Sequence, residues 1–144
     1  KAEAYLRKIT LDFVAPGEQQ PESDHGILSE NSNNGLNQNR HWRDAKGWFS
    51  YDLRNKKTKA KTLRLTYFGK DAGHKFKIMI NGTAIAEPQL KETRGNDFFE
   101  VDYTIPQELA ASNEILTVRF EAEEGSTTAG IYGVRLLSVP ATKK

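Results

Sequence analysis

The sequence predicts an all-β fold, a two-sheet antiparallel β-sandwich of the jelly-roll type with eight or nine strands. Apolar and polar residues alternate with period two in four segments between Ala60 and Leu137. Turn signals rich in Gly, Asn and Pro separate these segments, and no pattern between them indicates a helix of useful length. Two stacked sheets are the arrangement that buries one face of every such strand.

The strands follow one another along most of the chain. In each longer strand the alternate residues are apolar and are expected to face the core, as Phe76, Ile78 and Ile80 do. Asn81-Gly82 is the strongest hairpin signal, because both central residues of a type I′ turn need positive φ. Residues Gln107–Ala111 can form one helical turn after Pro106. The predicted strands are Ile9–Val14, a short bridging strand at Trp42–Ala45, Gly47–Leu53, Lys61–Phe68, Lys75–Ile80, Thr83–Glu87, Phe98–Ile105, Ile115–Ala122 and Ile131–Ser138.

A long polar segment interrupts this pattern. Residues 17–40 are rich in Asn, Glu, Gln, Ser and Gly, and Asn31–Gly35 favours turns over a strand. A loop of this length in a compact domain is uncommon and tends to be functional or mobile. The segment is therefore predicted to be a loop and a candidate for function.

Length and composition are typical of one globular domain. The 144 residues are 37% hydrophobic with a mean hydropathy of −0.68, which fits a sandwich that exposes half of each strand. No window approaches the roughly 20 apolar residues of a membrane span. We expect residues 1–144 to form a single β-sandwich domain. The lack of an initial Met or a secretory segment indicates a processed product or a domain cut from a longer protein. The linker-like ends Lys1–Ala4 and Ala141–Lys144 favour a domain excised from a larger multidomain protein.

Cysteine content and charge exclude several kinds of site. The chain has no Cys, which excludes a disulfide framework, a thiolate metal site and a Cys nucleophile. A net charge of +2 is too small to indicate nucleic-acid binding. Cations cluster between Arg54 and Arg64 with no acid among them, which suggests either a phosphate-binding stripe or, more commonly, a solvated turn and the outer face of a strand.

The densest polar cluster lies between Glu18 and Asp44. Carboxylates near His25 could bind a metal or transfer protons, but their spacing matches no metal-ligand motif. We therefore predict no cofactor, with a structural Ca²⁺ held by loop carboxylates and carbonyls as the open alternative. A second interpretation is that His25 and Arg43 pair with loop carboxylates and pin the loop to the sheet, because a buried charge needs a partner.

No motif indicates catalysis. The sequence contains no Gly-x-Ser-x-Gly elbow, no Walker loop and no His-Glu-x-x-His helix. A glycosidase needs two carboxylates at a set separation, and among 19 acidic residues a pair can always be chosen. We therefore assign no catalytic residue and expect this chain not to be an enzyme.

Aromatic residues beside polar loops are the more useful signal. Exposed rings stack on the apolar face of a sugar, and adjacent polar groups bind its hydroxyls. We expect a ligand site that involves Trp42 and Trp48 with His25 and Arg43 beside them, although any single aromatic residue is more often part of a core. Trp48 and Phe98 lie opposite the main apolar face of their strands and are expected to be accessible. The aromatic residues on or beside strands are Trp42, Trp48, Tyr51, Tyr67, Phe68, Phe98 and Tyr132.

Several strings together resemble a known accessory module. They are Pro21–His25, Trp42–Ala45, Gly47–Leu53, Leu65–Gly69, Phe76–Gly82, Val118–Phe120 and Ala129–Arg135. The set resembles the C-terminal β-sandwich module of large secreted proteins of the β-L-arabinofuranosidase type (glycoside hydrolase family 127) of Bacteroidetes. It also resembles, more broadly, the galactose-binding-domain family of jelly rolls.

The resemblance implies a role beside an enzyme. In that family an (α/α)-barrel domain with a zinc-bound cysteine does the catalytic work, and neither has a counterpart in this chain. The implied partners are a catalytic domain of the same polypeptide and a plant polysaccharide or oligosaccharide, and the implied location is extracellular or periplasmic.

Two main functions stay open from the sequence, with a stand-alone hydrolase as a remote third. One is a non-catalytic accessory module of a glycoside hydrolase that acts as a scaffold or binds carbohydrate. The alternative is a purely structural protein-interaction domain without sugar affinity. The second would expose a large apolar patch, for which Trp48, Phe98 and Tyr132 are the candidates.

Overall fold

The chain folds as a β-sandwich, which confirms the predicted fold class. A computed structural model describes residues 1–90 and 94–141. Its strands are β1 (Thr10–Val14), β2 (Leu28–Asn37), β3 (Arg40–Arg54), β4 (Thr62–Phe68), β5 (Phe76–Ile80), β6 (Thr83–Ala86), β7 (Phe98–Thr104), β8 (Ile115–Ala122) and β9 (Gly133–Leu137). Its helices are α1 (Ala2–Ile9), α2 (Gln19–Asp24) and α3 (Gln107–Ser112), and residues Lys56–Thr58 form a 3₁₀ turn.

The strands form two antiparallel sheets. The four-stranded sheet has the order β1–β9–β4–β7, and the five-stranded sheet has the order β2–β3–β8–β5–β6. The chain passes repeatedly from one sheet to the other, so neighbouring strands in a sheet are often distant in sequence. No helix within residues 1–90 and 94–141 has the length and apolar character needed to cross a bilayer.

The core lies between the two sheets and follows the predicted alternation. Phe49, Tyr51 and Leu53 of β3 are fully buried, and the ring of Phe49 packs against that of Phe120 with 4.9 Å between centroids. Burial of a large apolar side chain contributes about 1.5–3 kcal/mol, so these residues are the main source of stability. The other largest fully buried side chains are Tyr67, Phe76, Phe120, Leu63, Leu65, Ile78, Ile80, Leu116 and Ile131.

The predicted turns are confirmed where their chemistry is specific. Asn81 and Gly82 have φ of 48° and 86°, and they connect β5 to β6 in a hairpin. α3 follows Pro106, where one helical turn was expected. The lysines between Arg54 and Arg64 are exposed around the 3₁₀ turn, whereas Arg64 donates to Asp102 at 2.7 and 3.0 Å.

The prediction of one long loop over residues 17–40 is wrong, because this segment contains α2 and β2. β2 is an edge strand that pairs only with β3, and none of its residues is buried, so it needs no apolar face. Asn31, with φ of 56°, lies at a register shift of this pair. Gln38 and Asn39 have φ of 50° and 64° and form the tight turn to β3. The polar residues thus serve an edge strand and its hairpin.

Two predicted boundaries also need correction. The N-terminal stub Lys1–Ala4 is largely part of α1, because Ala, Glu, Leu and Arg are good helix formers and the helix ends at the buried Ile9. The short bridging strand at Trp42–Ala45 is part of the 15-residue β3, which continues to Arg54. Of the predicted C-terminal stub only Ala141 lies within the described residues.

Candidate functional site

A cleft of about 270 Å³ opens at one end of the sandwich. Three connections meet there: the β2–β3 hairpin, the segment that follows β4, and the segment that precedes β9. Its aromatic lining residues are Trp42, Phe68 and Tyr132, and its titratable ones include Asp44, Asp71 and His74. The cleft therefore combines rings with carboxylates, although these residues are far apart in the sequence.

Packing holds the rings of the cleft in place. Tyr132 lies 4.9 Å from the ring of Phe98 and 6.2 Å from that of Phe68, between centroids. Its hydroxyl accepts a hydrogen bond of 3.1 Å from Asn37. Trp42 lies opposite Gly35 on β2, where an added Cβ would come within 2.5 Å of the indole. The aromatic surface is thus formed before any ligand arrives.

Two half-buried carboxylates lie in the same cleft. Oδ2 of Asp71 accepts the backbone N–H of Gly130 at 3.2 Å. No described residue donates a hydrogen bond to the carboxylate of Asp44. Burial raises the pKa of Asp44, and the charge of Asp71 raises it further. Burial likewise raises the pKa of Asp71, although the Gly130 N–H and His74 partly oppose the shift.

These carboxylates keep free acceptor capacity. An ionised carboxylate has about four acceptor positions and no donor. Asp71 uses one position on Gly130, and Asp44 uses none on described residues. The cleft therefore offers strong acceptors to a ligand that carries hydroxyl or amino donors.

The raised pKa of Asp44 makes the substitution Asp44→Asn informative. A carboxyl whose folded-state pKa is raised lowers stability only when ionised, so the cost is absent below its ordinary value of 3.8 and grows as the pH rises through the raised value. We expect Asp44→Asn to stabilise the fold at pH 7 by less than about 1 kcal/mol, since the group is partly solvated.

Urea unfolding at pH 4 and pH 7 measures this effect. The gain from Asp44→Asn should shrink toward pH 4, whereas Glu124→Gln, at an exposed carboxylate, should change little at either pH. A loss of stability at pH 7 would instead mean that the fold holds the charge of Asp44 favourably.

The structure does not bring the four predicted site residues together. Trp42 lines the cleft just described. Arg43 belongs to a different cluster, where it donates to both oxygens of Glu22 at 2.6 and 2.9 Å and to Ser32 at 2.6 Å. The interpretation that Arg43 pairs with a carboxylate of the 17–40 segment is confirmed. This ion pair lines a second, larger cleft of about 550 Å³, but its charged groups already have protein partners.

His25 and Trp48 occupy two further places. The ring nitrogens of His25 lie 2.9 Å from Asp12 and 2.7 Å from the carbonyl oxygen of Pro21, so its carboxylate partner is on β1 and not in the loop. Trp48 is half-buried under Arg119, whose guanidinium lies 4.0 Å from the ring centroid, and it donates to Glu30 at 3.2 Å. Contact of His25, Arg43 and Trp48 with a ligand stays a prediction.

Sequence reasoning missed most of the polar cleft residues. Asp71 and His74 follow β4, whereas Asp44 lies on β3, and no local pattern joins them. Only the sheet order brings these segments to one end of the sandwich. Phe68 and Tyr132 were recognisable as aromatic residues beside strands, which was the one available signal.

The described residues form no acidic cluster that could be assigned to the possible Ca²⁺. Within residues 1–90 and 94–141 no three His, Asp or Glu side chains converge in a way that could hold a metal ion. Calcium binding through other oxygen donors stays a prediction.

The apolar patch expected of an interaction domain does not form at the predicted residues. Tyr132 is buried, and Trp48 and Phe98 are half-buried. Within residues 1–90 and 94–141 the exposed large apolar side chains are Tyr5 on α1, Phe13 on β1, Leu28 and Leu36 near the two ends of β2, and Ile115 on β8.

Solved structures with a similar fold include two carbohydrate-binding modules and a plant receptor ectodomain. A family 35 module from an environmental isolate has a TM-score of 0.64 and 16% identity, over 92% of this chain and 96% of that one. A family 35 module from Clostridium thermocellum has a TM-score of 0.61 and 11% identity, over 88% and 98%. The ANX1 ectodomain from Arabidopsis thaliana has a TM-score of 0.65 and 12% identity over 89% of this chain, which spans only 41% of that ectodomain.

At these identities the likeness concerns the fold. It confirms the coarser part of the expected resemblance, a β-sandwich like that of carbohydrate-binding modules. The link to β-L-arabinofuranosidase-type proteins of Bacteroidetes stays a prediction.

The sequence itself identifies the family. No curated protein matches it. Residues 5–137 match the family of unknown function DUF6805, which is most of the 144-residue sequence. The chain therefore belongs to the DUF6805 family.

Proposed function

We propose that this chain is a non-catalytic carbohydrate-binding module whose sugar lies in the cleft of Trp42, Tyr132, Asp44 and Asp71. The observation that carries the proposal is the meeting of packed aromatic rings and two carboxylates with free acceptor capacity in one cleft. A sugar ring presents an apolar face to an aromatic ring and hydroxyl donors to carboxylates. The fold shared with family 35 carbohydrate-binding modules supports this function by analogy.

The wider setting follows from the same proposal. The module serves a carbohydrate-active protein, with a glycoside hydrolase domain of the same polypeptide as its partner and a plant polysaccharide or oligosaccharide as its target. Its location is extracellular or periplasmic, and the description of the similar ANX1 structure as an ectodomain supports the first of these. A purely structural role without sugar affinity is the alternative that the experiment below also tests.

Trp42→Ala is expected to weaken sugar binding at least about fivefold, because the variant loses the stacking surface of the cleft. Calorimetric titration of the chain with arabinan and galactan fragments at millimolar concentration, with and without Ca²⁺, provides the measurement. Trp48→Ala is the matched control, since it removes the other Trp, which lies on the outer face of β3 beside Arg119. If the sugar lies in the cleft, the control keeps the affinity of the unchanged chain. If the sugar contacts Trp48, as the sequence predicts, the control binds more weakly.

Two results would contradict the proposal. If no fragment gives heat in either buffer, the chain does not bind these sugars and the structural role gains support. If Trp48→Ala abolishes binding and Trp42→Ala does not, the sugar binds on the outer face of the five-stranded sheet and the assigned cleft is wrong.

A further inference from the structure

We propose that the cleft selects uncharged sugar residues and excludes uronic acids, an inference that rests on the proposed function. Asp44 and Asp71 line the same cleft, and the charge of Asp71 raises the pKa of Asp44. Ionised carboxylates only accept hydrogen bonds. A neutral sugar supplies adjacent hydroxyl donors, whereas the carboxylate of a uronic acid adds a third acceptor and a third negative charge.

The nearby cations are poorly placed to offset that charge. Arg43 and Lys46 act on Asp44 through space, but the guanidinium of Arg43 is engaged by both oxygens of Glu22. Arg40 lies over the ring of Phe98, 4.5 Å from its centroid. Charge complementarity therefore favours ligands without an anionic group.

Two further groups line the cleft itself. Lys70 is exposed at the rim, where water and salt screen its charge. Nδ1 of His74 lies 2.8 Å from the hydroxyl of Thr127, so one ring nitrogen already has a protein partner. Lys70 is the one cleft cation in the described part of the chain whose side chain could reach a uronate, so the experiment includes its removal.

The floor of the cleft indicates that one sugar ring enters. A Cβ on Gly130 would lie 3.1 Å from Oδ2 of Asp71, 3.7 Å from the ring of Tyr132 and 3.9 Å from Cβ of Trp42. The missing side chain thus keeps open the space between the two aromatic residues and the carboxylate. The volume of about 270 Å³ lies just below the range of roughly 300–1,000 Å³ for drug-sized ligands, which suits a single ring and not an extended chain.

Matched sugar pairs test the selectivity. We expect methyl galactoside and methyl glucoside to bind at least about tenfold tighter than methyl galacturonate and methyl glucuronate at pH 7, because like charges in a desolvated site repel. Asp44→Asn should narrow the ratio of neutral-sugar affinity to uronate affinity, since it removes one charge and keeps the shape of the side chain. Lys70→Ala should widen the ratio, since it removes the cleft cation that could reach a uronate. Glu124→Gln, at an exposed carboxylate outside the cleft, should change neither affinity.

The outcomes separate this inference from the function it rests on. Uronates that bind as tightly as their neutral partners, or a ratio that Asp44→Asn does not change, would overturn the selectivity and leave sugar binding intact. The same holds if Lys70→Ala narrows the ratio, because the rim cation would then bind the neutral sugar more strongly than the uronate. If neither member of a pair binds and the arabinan and galactan fragments also fail, the proposed function itself falls.

Discussion

Glu22→Gln is expected to lower the free energy of unfolding by about 3–5 kcal/mol, the range for a buried ion pair that loses one charge. Glu22 is only 5% exposed. Its Oε2 accepts the hydroxyl of Tyr51 at 2.6 Å, Nε of Arg43 at 2.6 Å and the N–H of Gly17 at 2.9 Å. A neutral amide would place donor hydrogens among these donors or leave the charge of Arg43 buried without its counterion.

The pH dependence provides a second signature of the same network. Burial alone would raise the pKa of Glu22, but the hydrogen bonds from Arg43, Gly17 and Tyr51 outweigh it and the pKa is lowered. Such a group stabilises the fold above its ordinary value of 4.5, and the stabilisation is lost as the pH falls through the lowered folded-state value. We therefore expect the unchanged chain to lose stability below pH 4.5 more steeply than the Glu22→Gln variant.

Urea unfolding between pH 3 and pH 7 measures both effects, with Glu121→Gln as the control. The Arg119–Glu121 pair has a similar N–O distance of 2.9 Å, but its side chains are 37% and 42% exposed. Exposed pairs of this kind contribute no more than about 1 kcal/mol. Equal losses of unfolding free energy in Glu22→Gln and Glu121→Gln would mean that burial does not strengthen the Glu22 network.

This network also explains what residues 17–40 do. The segment was expected to carry function as a loop, but Glu22 ties α2 to Arg43 and Tyr51 of β3. Gly17 packs on the backbone of Trp42, where a Cβ would come within 2.7 Å of the carbonyl oxygen. The segment therefore supports the strand that carries Trp42, and it contributes to the cleft mainly through the β2–β3 hairpin.

The sequence predicted the strands in which one side faces the core and missed β2, which has no such side. Alternation is strong in β3, β5 and β8 because one side of each faces the core, as Phe49, Ile78 and Phe120 do. β2 has no such side, and its Asn residues resemble a loop. Backbone pairing with β3, which side chains do not encode, makes it a strand.

The candidate site was predictable only in part. Trp42 could be identified as an aromatic residue beside a polar segment, and its place in the cleft agrees with that expectation. Asp71 could not be identified as a site residue, because a carboxylate in a short turn has no distinctive sequence pattern. Trp48 was expected to be accessible from alternation alone, but Arg119 on the adjacent β8 covers its ring. Which residues become cross-strand neighbours depends on the order of strands in the sheet, and no local sequence pattern predicts that order.

Gly47→Ala is expected to destabilise the fold by about 3 kcal/mol, the upper part of the usual range for overpacking. Trp48 pairs with Glu30 and Ala45 pairs with Ser32, so β3 has one extra residue between these pairs and bulges beside β2. At Gly47 an added Cβ would lie 2.4 Å from the carbonyl oxygen of Glu30. A backbone atom cannot swing aside as the end of a side chain can, so the two strands must separate or lose their register.

The same substitution should also weaken sugar binding, since the bulge sets the course of β3 toward Trp42 and Asp44. Urea unfolding and the calorimetric titration measure the two effects on one protein. Lys46→Ala, at the exposed neighbouring residue, should stay within about 0.5 kcal/mol of the unchanged chain and keep its affinity. A Gly47→Ala variant with unaltered stability would mean that β2 can shift away from the bulge at no cost. Unaltered affinity in a destabilised variant would mean that the cleft is held by its own connections and not by the bulge.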